Sequence, residues 1–479
     1  MSDQTLHQRR EFLRASAASA LTPWGLKLGA LATLAAAQAA QAADSANTDD
    51  YKALVCVFLE GGNDQDNTVV PYDAASYARY AAIRGTGTTP IALARSSMES
   101  TVLSPSAALP GARQYALHSN LRGLAELFNR GRAATLLNVG PLIVPLTRQQ
   151  YRSGDKRYPV PPKLFSHNDQ QSTFKSGRPE GRTTGYGGAM GDVFHTANAT
   201  PLLTSIALGG GNTVFLAGDD VAPYKMTNAG AVPVSPAVVE RGPLANTLAS
   251  LIQSRRSHVL EDAYNQVMRF SIATQSIVSS ALGSYRPTSG ASTLSNALRM
   301  VVQVASVRAA LGTRRQVFYV GLGPFDTHGG QLDIHARVLG ELSAALVDFD
   351  VAATAAGLAD KLTLFTASEF GRTLSSNGDG TDHGWGSHHF ILGGAVNGGR
   401  FYGTAPPVSV GNTDHADDQW HVGQGRLLPS TSVAQYMATL ALWFGVPMQR
   451  LPEVVADITN FGAFAGRADY PVDLGFMRP

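Results

Sequence analysis

Cysteine is almost missing from these 479 residues. The one thiol, Cys56, lies inside the apolar run Ala53 to Leu59, so no internal disulfide is available and the side chain reads as a small buried core residue. Charge is sparse too, at 15% of the chain. Leaving aside residues 1–42, the 38 bases lose Arg9, Arg10, Arg14 and Lys27 and the 36 acids lose Asp3 and Glu11, so 34 of each remain. A chain without net charge or a basic run interleaved with aromatics has no electrostatic footprint for nucleic acid, which is excluded as an expected partner. No G-x-S-x-G elbow follows a strand-like run, which disfavours a Ser-His-Asp acyl hydrolase. No solenoid-type repeat is present. The longest apolar stretch, ahead of Ala42, is broken by Gly25, Lys27 and Gly29, so no stable membrane span is expected in the mature chain.

What the N-terminus does contain is Arg9-Arg10-Glu11-Phe12-Leu13-Arg14, then a weakly apolar Ala/Leu stretch and small residues at Ala40-Gln41-Ala42. This is the layout of a twin-arginine signal, residues 1–42, with an A-x-A cleavage site. The reading makes the Tat translocase a partner during export and places the mature chain in the periplasm or outside the cell; an uncleaved anchor or a Sec signal is the alternative. The remaining residues 43–479 suit a single large α/β domain with sizeable insertions.

The run Ala53 to Leu59 is continuously apolar, as in a strand buried on both faces, and stops at Glu60-Gly61-Gly62-Asn63-Asp64. A helix near Leu121 to Phe128 and a strand from Ala133 to Val139 follow, and strand, helix, strand predicts a parallel sheet. Residues 181–290 are irregular, apart from a helix near Ala245 to Phe270, and read as an insertion or cap. Order returns with a helix at Leu294 to Leu311, a strand at Gln316 to Val320 and a loop holding Asp326 and His328. The same grammar repeats: a helix from Leu332 to Ala356, a strand from Lys361 to Thr366, and a loop with Glu369 and Arg372. Asp382, His383 and His388 occupy the next polar loop.

Reacting groups in open parallel sheets sit beyond the carboxyl ends of the strands. Asp64, Asp326, His328 and Glu369 each follow such an end, and carboxylates mixed with imidazoles suit one or two divalent ions, which can clamp the oxygens of an ester. The residues do not choose between Zn, Mn, Ca and Mg. Taken singly, each has an ordinary structural use as a helix cap or a turn brace. The run Asp414 to His421 is also rich in donor atoms, but no strand clearly precedes it and it reads as a solvated loop.

Several segments together resemble the bacterial domain-of-unknown-function-1501 family, which is similar to the alkaline phosphatase and sulfatase superfamily. They are Phe58-Leu59-Glu60-Gly61-Gly62-Asn63-Asp64, Phe325-Asp326-Thr327-His328, Ser368-Glu369-Phe370-Gly371-Arg372-Thr373 and Thr381-Asp382-His383-Gly384-Trp385-Gly386-Ser387-His388. Gly425 to Val433 and Leu442 to Val446 extend the match. The resemblance implies an alkaline-phosphatase-like fold, with a predominantly parallel central sheet flanked by helices. It implies metal ligands at Asp64, Asp326, His328, Glu369, Asp382, His383 and His388, with Asp66 in reach of the first loop and His335 an alternative to His328. It further implies a nucleophile, for which Ser166 is the candidate, although Ser166 or Asp169 equally suits a helix cap. Arg372 would hold a phosphate or sulfate oxygen or pair with a structural carboxylate. Phe370 departs from the pattern, standing where the superfamily has a histidine.

Two functions follow as expectations. One is an exported metal-dependent hydrolase of phosphate or sulfate esters; the other is a non-catalytic metal-binding, carrier or assembly protein on the same fold.

Overall fold

The computed structural model describes residues 50–478 except 88, 180, 210–212, 233–246, 248–249, 253, 255–256 and 284. The expected export signal lies outside the described residues, as does part of the helix expected near Ala245 to Phe270. Among the described residues, no helix is long and apolar enough to cross a membrane.

In chain order the strands are β1 (Lys52–Leu59), β2 (Val69–Pro71), β3 (Tyr115–Leu117), β4 (Ala133–Gly140), β5 (Ser205–Leu208), β6 (Tyr224–Thr227), β7 (Gly230–Ala231), β8 (Arg315–Leu322), β9 (Leu362–Ala367), β10 (Ser387–Leu392), β11 (Phe401–Gly403) and β12 (Thr431–Ser432). The longer helices are α1 (Ala74–Arg84), α2 (Arg122–Asn129), α3 (His167–Ser176), α4 (Tyr186–Phe194), α5 (Val259–Leu282), α6 (Thr293–Ser306), α7 (Gln331–Ala355) and α8 (Val433–Phe444).

Among the described residues, ten strands form one sheet in the order β11-β4-β10-β9-β1-β8-β5-β6-β7, with β12 beside β4. β1 lies at its centre, parallel to both β8 and β9, and β5 and β6 continue the parallel run. The fold is thus mixed α/β around a large, mostly parallel sheet. The exceptions are at β10, antiparallel to both β9 and β4, and at β7. β4 runs parallel to β1, as strand, helix, strand predicted, but is not its neighbour; β10 and β9 separate them.

The apolar continuity of β1 has the expected cause. Ala53, Val55, Val57 and Leu59 face a core built with α2, α6 and α7, whereas Leu54, Cys56 and Phe58 face a second core built with α3, α4 and α8. Alternate side chains of a strand point to opposite faces, so a sheet covered on both sides needs apolar residues at every position. Burial also pushes the Cys56 thiol up, away from ionisation.

The stretch 181–290 is less irregular than its glycines suggested. It contributes α4 and α5, and β5 pairs directly with β8, so part of it extends the central sheet rather than capping it.

Candidate metal centre

The loops after β1, β8 and β9 meet at one end of the sheet, and two glycines let them close. Gly61 has φ +117 and its missing Cβ would lie 2.3 Å from the backbone nitrogen of Asp326; at Gly62 (φ +83) a Cβ would meet the Phe370 ring at 2.4 Å. Only glycine tolerates both that backbone and that closeness.

At this junction Asp326 is the hub. Its Oδ2 lies 3.3 Å from His167 Nε2, and its Oδ1 lies 3.1 Å from His328 Nε2 and 3.4 Å from His383 Nε2. Arg372 donates to the same Oδ1 at 2.8 Å. Although partial burial works to raise it, Arg372 holds the Asp326 carboxyl below the usual aspartate value. His167, Asp326 and His383 form a group whose ligand atoms all lie within 4.8 Å of one another and could hold a metal ion.

Each imidazole is fixed from behind. His167 Nδ1 donates to Glu369 Oε1 at 3.0 Å, His383 Nδ1 donates to the Phe165 carbonyl at 2.7 Å, and His328 Nδ1 faces Asp382 Oδ1 at 3.3 Å. Burial opposes the ionisation of Glu369, yet hydrogen bonds from His167 and Gln171 keep its carboxyl below the ordinary glutamate value. Asp382 is likewise held down, against partial burial, by Asn377 and His328. Ionised carboxylates and a carbonyl are acceptors only, so they favour a ring proton on each Nδ1 and turn each Nε2 towards Asp326 and whatever cation, proton or metal, lies there; the hydrogen bond with Glu369 raises the His167 ring above the ordinary histidine value. Holding the second ring nitrogen in this way is the usual support for a metal-ligating histidine.

The fit can be tested on one contact. His328 Nε2 and His383 Nε2 are 2.9 Å apart, beside the Asp326 carboxylate, and His167 Nε2, buried 3.3 Å from Asp326 Oδ2, has no hydrogen-bond partner of good geometry among the described residues. Lone pairs brought this close repel unless a cation, proton or metal, lies among them. Imidazole nitrogens with one carboxylate suit zinc or a related ion better than calcium or magnesium, which favour oxygen donors.

Not every residue expected at the site is brought there. Asp64 is fully buried and accepts from Arg84 Nη1 at 2.5 Å, Arg84 Nη2 at 2.8 Å, Gln331 Nε2 at 2.5 Å and the Asp66 backbone; it caps the helical turn Gln65–Thr68. Its oxygens are spent on protein donors, so it stands outside the group. Asp66 lies 3.7 Å from the same guanidinium. His335, buried on α7, faces Asn63 Oδ1 at 3.0 Å. His388 is buried on β10 with Nδ1 accepting from the Asn138 backbone. Glu369 and Asp382 support the imidazoles from behind.

Both residues expected to act on substrate also differ. Arg372 is fully buried, giving Nη1 to Gly61 O and Asp326, Nε to Thr381 Oγ1 and Nη2 to Thr381 O. It braces Asp326 and is no clamp for a ligand. Ser166 precedes α3, and its hydroxyl donates to Asp169 Oδ2 at 2.9 Å. In the Asp414 to His421 run, Asp418 is buried and accepts from Ser409 and Thr413, which makes that segment a structural turn rather than a wholly solvated one.

His167 is the residue that sequence reasoning missed. Its local signal was a histidine opening a helix with a polar Gln171 four residues on, facing nothing identifiable in sequence. Phe370, the departure from the superfamily pattern, packs against His167 at 4.9 Å and stacks on His383 at 4.6 Å between centroids. Beside the group opens a cleft of about 450 Å³ lined by Glu60, Gly61, His167, Gln171, Gly323, Pro324, Asp326 and Glu369.

A family model described as a protein of unknown function, DUF1501, matches residues 51–424. The chain belongs to the DUF1501 family. The match spans every residue of the candidate centre. No curated protein matches this DUF1501 chain. Solved structures of Ps i-CgsB, alone and in complex with k-i-k-neocarrahexaose, align with it at 9% identity over 88% of this chain and 77% of theirs, with a TM-score of 0.36. A likeness at that level carries no weight for the fold or chemistry of this protein.

Proposed function

We propose that this protein is an exported metal-dependent hydrolase of phosphate or sulfate esters, on an alkaline-phosphatase-like arrangement of sheet-end loops. The observation that carries the reading is the convergence of His167, His328 and His383 Nε2 on Asp326, each ring pinned at Nδ1. His167, Asp326 and His383 would hold the ion, with His328 alongside. A divalent cation bound there supplies Lewis-acid polarisation of an ester oxygen and a bound water of lowered pKa. The chain's own residues do the rest. Glu369, Asp382 and the Phe165 carbonyl orient the rings, Arg372 fixes Asp326, and the adjoining cleft admits the ester.

A metal-activated water fits better than a serine nucleophile, because the Ser166 hydroxyl is committed to Asp169. The same observation favours the second reading, a metal-binding protein without catalysis that serves as a carrier or assembly partner. Elemental analysis of the purified mature protein, with a phosphate- and sulfate-ester screen on wild type and Asp326→Ala, separates the two. Stoichiometric metal and ester turnover, both lost in the variant, support the hydrolase. Metal without turnover supports the carrier, and no metal, with no turnover in the metal-reconstituted protein, sinks the hydrolase.

The export route rests on Arg9-Arg10 and the stretch behind it. Folding before translocation would let a site assembled from distant loops close on its ion in the cytoplasm. Replacing both arginines by lysine should leave the precursor inside the cell; unchanged export of that variant removes the twin-arginine reading.

A further inference from the structure

α3 carries His167, Gln171 and Lys175 at four-residue spacing, which puts all three on one helix face. Lys175 is only 1% exposed. Its ammonium lies 4.1 Å from the Phe58 ring centroid and 5.4 Å from that of Tyr319, whose buried hydroxyl has no hydrogen-bond partner among the described residues. The charged groups bearing on it are Glu369 and Glu60, with the Cys56 thiol behind. An ammonium is costly to enclose unless something is gained by it.

The hydrogen bonds along this face converge on Glu369. Lys175 Nζ donates to Gln171 Oε1 at 3.4 Å, Gln171 Nε2 donates to Glu369 Oε1 at 3.1 Å, and His167 Nδ1 donates to the same Oε1 at 3.0 Å. Lysine is a donor only, so it keeps the Gln171 oxygen turned towards itself and the amide nitrogen towards Glu369. The glutamate, supplied with donors from that side and from the Gly61 backbone at 2.9 Å, faces the imidazole as an acceptor.

We propose that Lys175 and Gln171 are positioning residues: Lys175 turns the Gln171 amide so that its nitrogen holds Glu369 in place as an ionised acceptor, which keeps a proton of His167 on Nδ1 and its Nε2 aimed at a divalent cation. The proposal rests on the metal-binding part of the reading above and not on ester hydrolysis. It explains why a lysine is buried beneath a group of carboxylates and imidazoles that it does not touch.

Three variants test it: Gln171→Met, Lys175→Met and the pair together. Zinc affinity is read by competition with a chromophoric chelator, the His167 tautomer by nitrogen-15 NMR of the metal-free protein, and integrity by urea unfolding. Each single change should weaken zinc binding roughly 10-fold or more, as loss of an outer partner does. The double variant should be no weaker than the worse single one, because both act through Glu369. His167 should shift from the Nδ1–H tautomer towards a mixture. Unchanged affinity with an unchanged tautomer overturns the proposal, as do losses that multiply in the double variant. Gln171 is only half-buried, so its variant remains informative if Lys175→Met fails to fold. If wild type binds no zinc, the metal reading fails, while the tautomer measurement still decides the positioning role.

Discussion

Two clusters built from the same residue types lie at the carboxyl end of the sheet, and they have opposite characters. One gathers Asp64, Arg84, Gln331, Asn63 and His335; the other gathers Asp326, Arg372, His167, His328 and His383. In the first, each Asp64 oxygen accepts hydrogen bonds from donors that already carry protons, and the group is sealed. In the second, Asp326 faces three imidazole nitrogens, each on a ring held at its other nitrogen. Residue type therefore does not make a ligand set. Whether the lone pairs are already satisfied does.

This contrast is broken most directly by Arg84→Met. Leaving Asp64 buried and unpaired should destabilise the fold by about 3–5 kcal/mol, read as a lowered urea midpoint, without removing metal from the folded fraction. A variant that keeps its stability and loses metal would reverse the roles of the two clusters.

Asp326→Asn should do the opposite. It takes the carboxylate from the buried Arg372 guanidinium, but with Asp326 at 41% side-chain exposure the metal-free variant should lose only about 1–2 kcal/mol, less than Arg84→Met. Its metal affinity should fall by more than about 100-fold, beyond what the loss of a mere supporting partner costs. Asp382→Asn sharpens the same point, since it touches the centre only through His328: a loss of about 10-fold in metal affinity is expected by titration.

Acid separates the clusters as well. Burial opposes ionisation of Asp64, but Arg84 holds it below the ordinary value of 3.8. A group depressed in the folded state contributes stability that is complete above 3.8 and is lost as pH falls through its folded value. Urea midpoints followed from about pH 6 to about pH 2 should therefore fall steeply in wild type, somewhat less in Asp326→Asn, whose part-exposed carboxyl is also held below its ordinary value, and least in Arg84→Met. An equal acid limb in all three removes the Asp64 pair from the account.

The smallest effect is expected at Ser166. Ser166→Ala deletes one hydrogen bond to Asp169, worth about 1 kcal/mol, and should leave metal content and any ester turnover near wild type. Turnover abolished by this variant, with metal retained, would restore serine as the nucleophile.

Much of the frame was legible in the chain. The unbroken apolar run of β1 announces a strand covered on both faces, and the helix ending at Ala355 before Gly357 is marked by its periodicity and that glycine. The acidic and imidazole-bearing loops could be placed at strand ends because that follows from local pattern alone. The fate of each side chain could not. Asp64 was lost to the centre because Arg84, twenty residues on, folds back onto it. His167 was missed because its partners Asp326, Glu369 and His383 come from loops more than 150 residues away.

By itself, then, the sequence determined which segments become strands and helices and which loops carry titratable groups, since apolar periodicity and glycine placement act over a few residues. Only the tertiary structure decided which acids meet cations, which meet imidazole nitrogens, and that β10 separates β4 from the centre of the sheet. Hydrogen bonds and ion pairs are satisfied by atoms within about 3 Å in space, and nothing in local sequence fixes which atoms those will be.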